Sequence, residues 1–271
     1  MTVKLLLVGG GKMGSAMLAG WLKGSLKPED VLVVEPFEET RTLLKDTLGV
    51  GSVADASGIP ADASPATIVL AVKPQMMDEA IGGYARFAGP DCVYLSIAAG
   101  KTIAYFEGKL GADAAIVRAM PNTPAAVGRG ITVGYPNHLV SEQQRTWADE
   151  LLRSVGEVAW VDDEGQIDCV TALSGGGPAY VFLLVEVMAQ AGIDNGLPAD
   201  LAMRLARATV AGAGELLYQA TEEASQLRKN VTSPGGTTAE ALKVLMADDA
   251  LQPLMTRAIA EATRRSRELA G

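Results

Sequence analysis

Two runs of residues in this chain have types and spacings that could do chemistry. Near the C-terminus stands Val231-Thr232-Ser233-Pro234-Gly235-Gly236-Thr237-Thr238-Ala239-Glu240-Ala241-Leu242. Pro234 fixes φ, Gly235 and Gly236 permit left-handed backbone, and Thr237 with Glu240 has the spacing of a capping box for a helix carrying Leu242, Val244 and Leu245. Such a helix start turns free backbone N–H groups and a positive dipole end toward open space, where a small carboxylate fits. Alone, a Pro-Gly-Gly-Thr run is more often only a tight helix start. The other end of the chain changes that weighting.

There, Val3-Lys4-Leu5-Leu6-Leu7-Val8 is an apolar run suited to a buried strand, and Gly9-Gly10-Gly11-Lys12-Met13-Gly14 follows it and opens a helix. This is G-x-G-x-x-G in the strand–turn–helix context it requires: Gly9 makes the turn, Gly11 lets a pyrophosphate approach the backbone around Lys12 and Met13, and Gly14 lets helix and strand pack closely. A second strand, Val31 to Val34, ends on Glu35, where a dinucleotide fold places the carboxylate that holds an adenosine ribose.

The elements that must position these residues follow from periodicity. Strand-like runs continue at Thr67 to Val72, Cys92 to Ile97, Ala115 to Met120, Ile131 to Tyr135 and Val158 to Val161. Between them lie helical stretches near Gln75 to Arg86 and Thr102 to Leu110, and a helix from Ser141 whose Gln144 completes a second capping box. The alternation predicts a mostly parallel, doubly wound sheet over residues 1–161, with ligand at the C-terminal strand ends. Those ends carry Val72-Lys73-Pro74, Ala98-Ala99-Gly100 and Pro121-Asn122-Thr123-Pro124.

From 162 to 271 the strand signal stops, and the sequence predicts an all-helical domain rich in Ala, Leu and Met. Small residues fall on several faces between Leu201 and Gly214, so neighbouring helices can approach closely, and so small a domain is expected to complete its core against a second copy. In its first helix, Ser174-Gly175-Gly176-Gly177-Pro178-Ala179-Tyr180 is an interruption whose cost in helix propensity suggests backbone groups exposed for a ligand.

Composition sets looser bounds. The chain has 271 residues, a formal net charge of −9 and a pI near 4.8, with no Lys or Arg cluster of the kind that grips nucleic acid. Cys92 and Cys169 lie far apart in apolar surroundings with no metal-ligand spacing and read as reduced core thiols. The N-terminus leads straight into a strand, and Glu186 interrupts the apolar run Val181 to Val185 short of a membrane span. The expectation is a cytoplasmic protein with no metal, nucleic-acid or membrane partner.

Together these runs give the chain a resemblance to the pyrroline-5-carboxylate reductase family. The resemblance rests on Gly9 to Gly14, Ala71-Val72-Lys73-Pro74, Met120-Pro121-Asn122-Thr123-Pro124, Ser174 to Tyr180 and, most specifically, Val231 to Thr238. It implies a Rossmann domain, a helical dimerisation domain, and an active site between the nicotinamide of one subunit and the Ser233 to Thr238 loop of another; many members form larger rings of dimers. It implies that Thr238 hydrogen-bonds the imine nitrogen, that Ser233, Gly235, Gly236 and Thr237 bind the substrate carboxylate, and that Ser174, Gly175 and Gly176 border the substrate. Ala98, Asn122 and Thr123 would seat the nicotinamide half, with Val72, Lys73 and Pro74 along the cofactor. Gly176 departs from the family's usual serine, removing a hydroxyl at that position.

The implied reaction suits a chain with a single histidine, His138, placed in a loop. Reducing a cyclic imine requires hydride delivery to the C=N carbon and a proton on nitrogen that solvent can supply, so alignment and a carboxylate grip suffice. Glu35 favours NADH, with NADPH possible. Two rivals are a reductase such as a β-hydroxyacid dehydrogenase or another imine reductase, and a non-catalytic dinucleotide sensor. A β-hydroxyacid dehydrogenase needs a catalytic lysine in the helical domain, where Lys229 and Lys243 stand outside the glycine-rich break.

Overall fold

A computed structural model describes residues 3–270. Contacts divide them into two compact units, one running to Gly175 and resuming at Ala262, the other spanning Gly176–Glu261.

The first unit is built on β1 (Leu5–Val8), α1 (Lys12–Lys23), β2 (Val31–Val34), α2 (Glu38–Leu48), β3 (Gly51–Val53), β4 (Thr67–Leu70), α3 (Met77–Ala80), β5 (Val93–Ser96), α4 (Ile103–Leu110), β6 (Ala115–Met120), β7 (Gly130–Pro136), α5 (Glu142–Arg153), β8 (Gly156–Trp160) and α6 (Gln166–Val170). The strands form one sheet in the order β3-β2-β1-β4-β5-β6-β7-β8, parallel at every step except the antiparallel pair β6–β7. Alternate residues serve opposite faces, as the two-residue period of a strand demands. Leu5 and Leu7 pack with Met17, Leu18, Trp21 and Leu151, while Leu6 and Val8 pack with Ile68, Tyr84, Tyr94 and Phe106. Burial on both faces is why these strands read as unbroken apolar runs.

Thr102 caps α4 through Tyr105 N (3.2 Å), and Ser141 and Gln144 form the reciprocal capping box at α5. Two details depart from the sequence reading. The three-residue β3 carries no apolar run and was not legible. The stretch 75–86 is not one helix: it is a 3-10 turn at Pro74–Met76, then α3, then a 3-10 segment at Ile81–Phe87. Gly82 and Gly83 disfavour an α-helix there, and a Cβ on Gly83 would stand 2.4 Å from Ala56 Cβ, so this wall must lie close against its neighbour.

The compact units also divide later than residue 161. α6 and the π-helical segment Thr171–Gly175 remain with the sheet unit because Ile167 and Ala172 are buried and Ser266 donates to Asp168 Oδ1 (2.7 Å). Residue 161 marks where strands end, which is not where packing divides.

The second unit contains α7 (Gly177–Asp194), α8 (Ala199–Gln219), α9 (Ala224–Asn230), α10 (Thr237–Leu245) and the first part of α11 (Leu251–Ala270). α7 and α8 close on one another at Gly192, where a Cβ would stand 3.3 Å from Ala202 Cβ. In α7 through α10 only Ala189, Ala202 and Ala206 are buried among the described residues. Phe182, Leu183, Leu216 and Val244 are each more than half exposed.

Two expectations are corrected here. The helical residues Gln166–Asp194 are, by length and composition, sufficient to cross a membrane, because Glu186 is too isolated a charge to lower the hydropathy of so long a run. Only Cys92 is a core thiol, its pKa pushed up to about 12 by burial, whereas Cys169 on α6 is exposed in the single chain.

Candidate active site

The glycine loop has the geometry its spacing predicts. Gly9 has φ +100°, and a Cβ there would stand 2.8 Å from Ala71 O. A Cβ on Gly14 would stand 2.2 Å from Gly9 O, so α1 can lie this close to the turn only without a side chain. At Gly11, the N-cap of α1, an added Cβ meets nothing within 4 Å, which leaves the backbone open to a bulky anion. The N–H groups of Lys12, Met13 and Gly14 have no intrahelical acceptor and point into that space with the positive end of the helix dipole. Lys12 is exposed and Met13 partly buried. These features fit a pyrophosphate.

Glu35 ends β2 as expected, but its carboxylate turns inward. It is buried, taking the Gly10 N–H on Oε2 (2.7 Å) and the Phe37 N–H on Oε1 (3.1 Å). The glycine loop and the end of β2 are thereby held together by one side chain. Arg41 pairs with neither Glu38 nor Glu35 through a carboxylate; its Nη1 donates to the carbonyls of Glu35 (2.9 Å) and Pro36 (2.8 Å). Two carbonyls at the end of a strand form an acceptor pair that an i,i+4 reading of side chains overlooks.

A cavity of about 410 Å³ opens at the carboxyl ends of β1, β2 and β4, lined not by Glu35 but by its chain neighbours Val34 and Pro36, with Val8, Asp55, Val72 and Tyr84. Its size suits a nucleoside. Sequence reasoning missed Asp55, whose signal was the turn Asp-Ala-Ser: the Ser57 hydroxyl and amide both bond its carboxylate and hold its pKa below the usual carboxylate range. Lys73 is exposed beyond Val72, and Pro74 starts the 3-10 turn.

At the next strand ends, Ala98 is buried with its N–H on Ser96 Oγ (3.2 Å), and Thr123 is exposed. Asn122 joins two of the expected site segments: its Oδ1 accepts from Ile131 N (3.0 Å) and its Nδ2 donates to Ser174 Oγ (3.3 Å). The interruption at Ser174 to Gly177 is a π turn followed by a fresh helix start with Pro178 in its first turn. A Cβ on Gly175 would stand 2.4 Å from Met120 Cε, so the end of the Met120 side chain lies over this glycine. Gly176 is the N-cap of α7.

In the second unit, Gly236 N donates to Ser233 O (3.0 Å) across Pro234 and Gly235, and Gly235 has φ +71°. Proline followed by a left-handed glycine is the pattern of a type II turn. The turn delivers Gly236 as the N-cap of α10, and the expected Thr237–Glu240 capping box is absent. Thr237 is already helical, and Glu240 lies one position too far along and pairs with Lys243 (2.6 Å). A glycine cap has no side chain to satisfy the helix start. The N–H groups of Thr237, Thr238 and Ala239 therefore lack an intrahelical acceptor, and the Thr237 and Thr238 side chains are exposed beside them. This end suits a carboxylate better than the expected box, which would have occupied one donor. Lys243 is thus held in an ion pair within its own helix.

An open glycine turn at the end of β1 and a cavity of nucleoside size at the neighbouring strand ends have the layout of a Rossmann-type dinucleotide oxidoreductase. Residues 164–269 match the family model described as pyrroline-5-carboxylate reductase dimerisation, and residues 4–100 match one described as NADP oxidoreductase coenzyme F420-dependent. The chain is 37% identical to the pyrroline-5-carboxylate reductase of Pseudomonas aeruginosa over 99% of its own length and 97% of the relative's. It is 38% identical to that of Synechocystis over 99% of both. The solved pyrroline-5-carboxylate reductase of Coxiella burnetii superimposes with a TM-score of 0.92 at 34% identity over 100% of both chains. That of Plasmodium falciparum, solved with NADP bound, gives 0.81 at 28% identity over 99% of this chain and 98% of that one. The chain belongs to the pyrroline-5-carboxylate reductase family.

Proposed function

We propose that the chain reduces pyrroline-5-carboxylate to proline with a nicotinamide dinucleotide as reductant, working as a homo-oligomer in the cytoplasm. The observation that carries this reading is the uncapped start of α10, whose exposed threonines stand beside free backbone donors, in a chain of this family. The free N–H of Thr237, with Ser233 beside it, holds the substrate carboxylate, Gly236 closes the turn that presents them by donating to Ser233 O, and Gly235 gives the turn its left-handed corner. Thr238 places its hydroxyl on the imine nitrogen. Ser174, Gly175 and Gly176 border the ring, and Asn122, Thr123 and Ala98 fix the nicotinamide end. Gly9, Gly11, Lys12, Met13 and Gly14 hold the pyrophosphate, with Val72, Lys73 and Pro74 along the adenosine side.

When bound, the dinucleotide supplies the hydride, which adds to the C=N carbon. Nitrogen takes its proton from solvent, so no side chain has to act as a base, and the protein's work is alignment and charge complementarity. Thr238→Ala removes one hydrogen bond to the reacting nitrogen. It is expected to lower kcat/KM for the imine by about 1–3 kcal/mol while leaving dinucleotide affinity within about twofold. Steady-state kinetics with titration of the cofactor checks both, and full activity in the variant would reduce Thr238 to a helix-start residue.

NADH is the preferred reductant in this reading, with NADPH accepted more weakly. Glu35 puts a buried carboxylate at the ribose end and Asp55 a second acid on the cavity wall, while Arg41 is engaged by two carbonyls. A 2′-phosphate about 4 Å from a carboxylate meets a repulsion of roughly 1–4 kcal/mol between water-like and protein-like surroundings. KM for NADH is therefore expected to be about tenfold below that for NADPH, the lower end of this range. Glu35→Ser narrows the gap but also removes the acceptor for Gly10 N–H. Glu35→Gln removes the charge, keeps one acceptor for the Gly10 N–H and gives up the weaker Phe37 N–H bond, so it disturbs the loop less than serine does, and an unchanged cofactor ratio in both variants would show that Glu35 does not set the preference.

A further inference from the structure

Arg118 lies within β6, 3% exposed, in a sheet whose other interior residues are mostly apolar. Its Nη1 donates to Glu164 Oε1 at 2.8 Å, and the same oxygen accepts Ile103 N–H from the start of α4 at 2.8 Å. Its Nη2 stands 3.7 Å from Asp168 Oδ1 and has no hydrogen-bond acceptor among the described residues. Asp168 Oδ1 in turn accepts from Ser266 Oγ of α11 at 2.7 Å. Buried ion pairs often add little stability relative to apolar residues of the same shape, so the role of this group is read from the segments it holds.

The geometry fixed here leads to the reacting end of the site. Arg118, Met120 and Asn122 are alternate residues leaving β6, and all three meet the same stretch of chain. Arg118 holds Glu164 and Asp168, Met120 packs where Gly175 lacks a Cβ, and Asn122 bonds Ser174. Between the acids and Ser174 the helix changes from α to π, and Ser174 lies in the π turn Thr171–Gly175. We propose that Arg118 is a positioning residue for hydride transfer: it sets the depth at which Glu164–Gly175 lies on β6, and so the placement of the Ser174–Asn122 pair. The Asp168–Ser266 bond ties that depth to the end of the C-terminal helix, whose Leu269 also lies against Gly100 beyond Ala98.

This assignment rests on the reductase reading, and the test separates the two. Arg118→Lys keeps the charge and loses the planar fork. Ser266→Ala removes only the tie to α11. In both, kcat should fall, by about tenfold or more in Arg118→Lys, and the kinetic isotope effect with dinucleotide deuterated at the transferred position should rise, because a misplaced reactant makes hydride transfer limiting. A merely structural role lowers the active fraction and leaves the isotope effect unchanged, and that result would overturn the proposal. Amide exchange across residues 171–175, measured without substrate or cofactor, gives a readout independent of turnover. Faster exchange there in folded Arg118→Lys supports the positioning role even if the wild type reduces no imine, and unchanged exchange overturns it.

Discussion

Gly14→Ala is expected to weaken dinucleotide binding on the order of a hundredfold, roughly 2.7 kcal/mol, with a modest loss of stability. The new Cβ would stand 2.2 Å from Gly9 O and 3.4 Å from Ala71 Cβ, contacts with backbone and strand that no side-chain rotation relieves. α1 must move outward, and overpacking of this kind costs about 1–3 kcal/mol in the folded state. The same shift carries the Lys12 and Met13 N–H groups away from the Gly9 turn, and binding to a helix start depends on both together. Fluorescence titration with NADH alongside a thermal melt checks the two parts. A variant that binds normally would show that the pyrophosphate does not lie on this turn.

Phe182→Glu is expected to yield a monomer with little activity. Phe182 is 64% exposed on α7, next to Leu183 at 56%, and α7 through α10 bury only three alanines among the described residues. Helices this apolar and this poorly covered require a partner surface, and in a homo-oligomer the same face recurs on the second copy, so each dimer would receive two opposed charges. Light scattering reports the mass. Complementation reports the site: equal mixing of Gly14→Ala and Thr238→Ala protomers should give activity above the sum of the two, approaching about one quarter of wild type if each site draws on two subunits and half the dimers are hybrids. A fully active monomer would end the shared-site reading.

Some of the site was legible in the amino-acid sequence alone because its residues act through local backbone requirements. Gly9 needs a positive φ, Gly14 needs no Cβ, and Pro234 with Gly235 needs a type II corner; each requirement is met within a few residues of chain, so spacing alone reveals it. The Thr237–Glu240 box misled for the converse reason. Its spacing is right, but the turn uses Gly236 as the cap and shifts both residues one place into the helix. Glu35 was correctly placed at a strand end, yet its hold on Gly10 depends on a residue 25 positions earlier.

The sequence by itself determined the alternation of buried strands and helices, the change to an all-helical second part, the glycine turn after β1 and the proline-glycine turn that starts α10, since each is written in periods of two or 3.6 residues or in glycine and proline positions. Only the tertiary structure decided that α6 and the π turn pack with the sheet unit, that Asn122 meets Ser174, that Met120 fills the space at Gly175, and that Arg118 gathers Glu164, Asp168 and, through it, Ser266. These contacts join residues 46 to 98 positions apart. No local period encodes which strand end faces which helix turn. That is settled by the close packing of both sheet faces, where a buried charge or a missing Cβ fits in one arrangement and not in its neighbours.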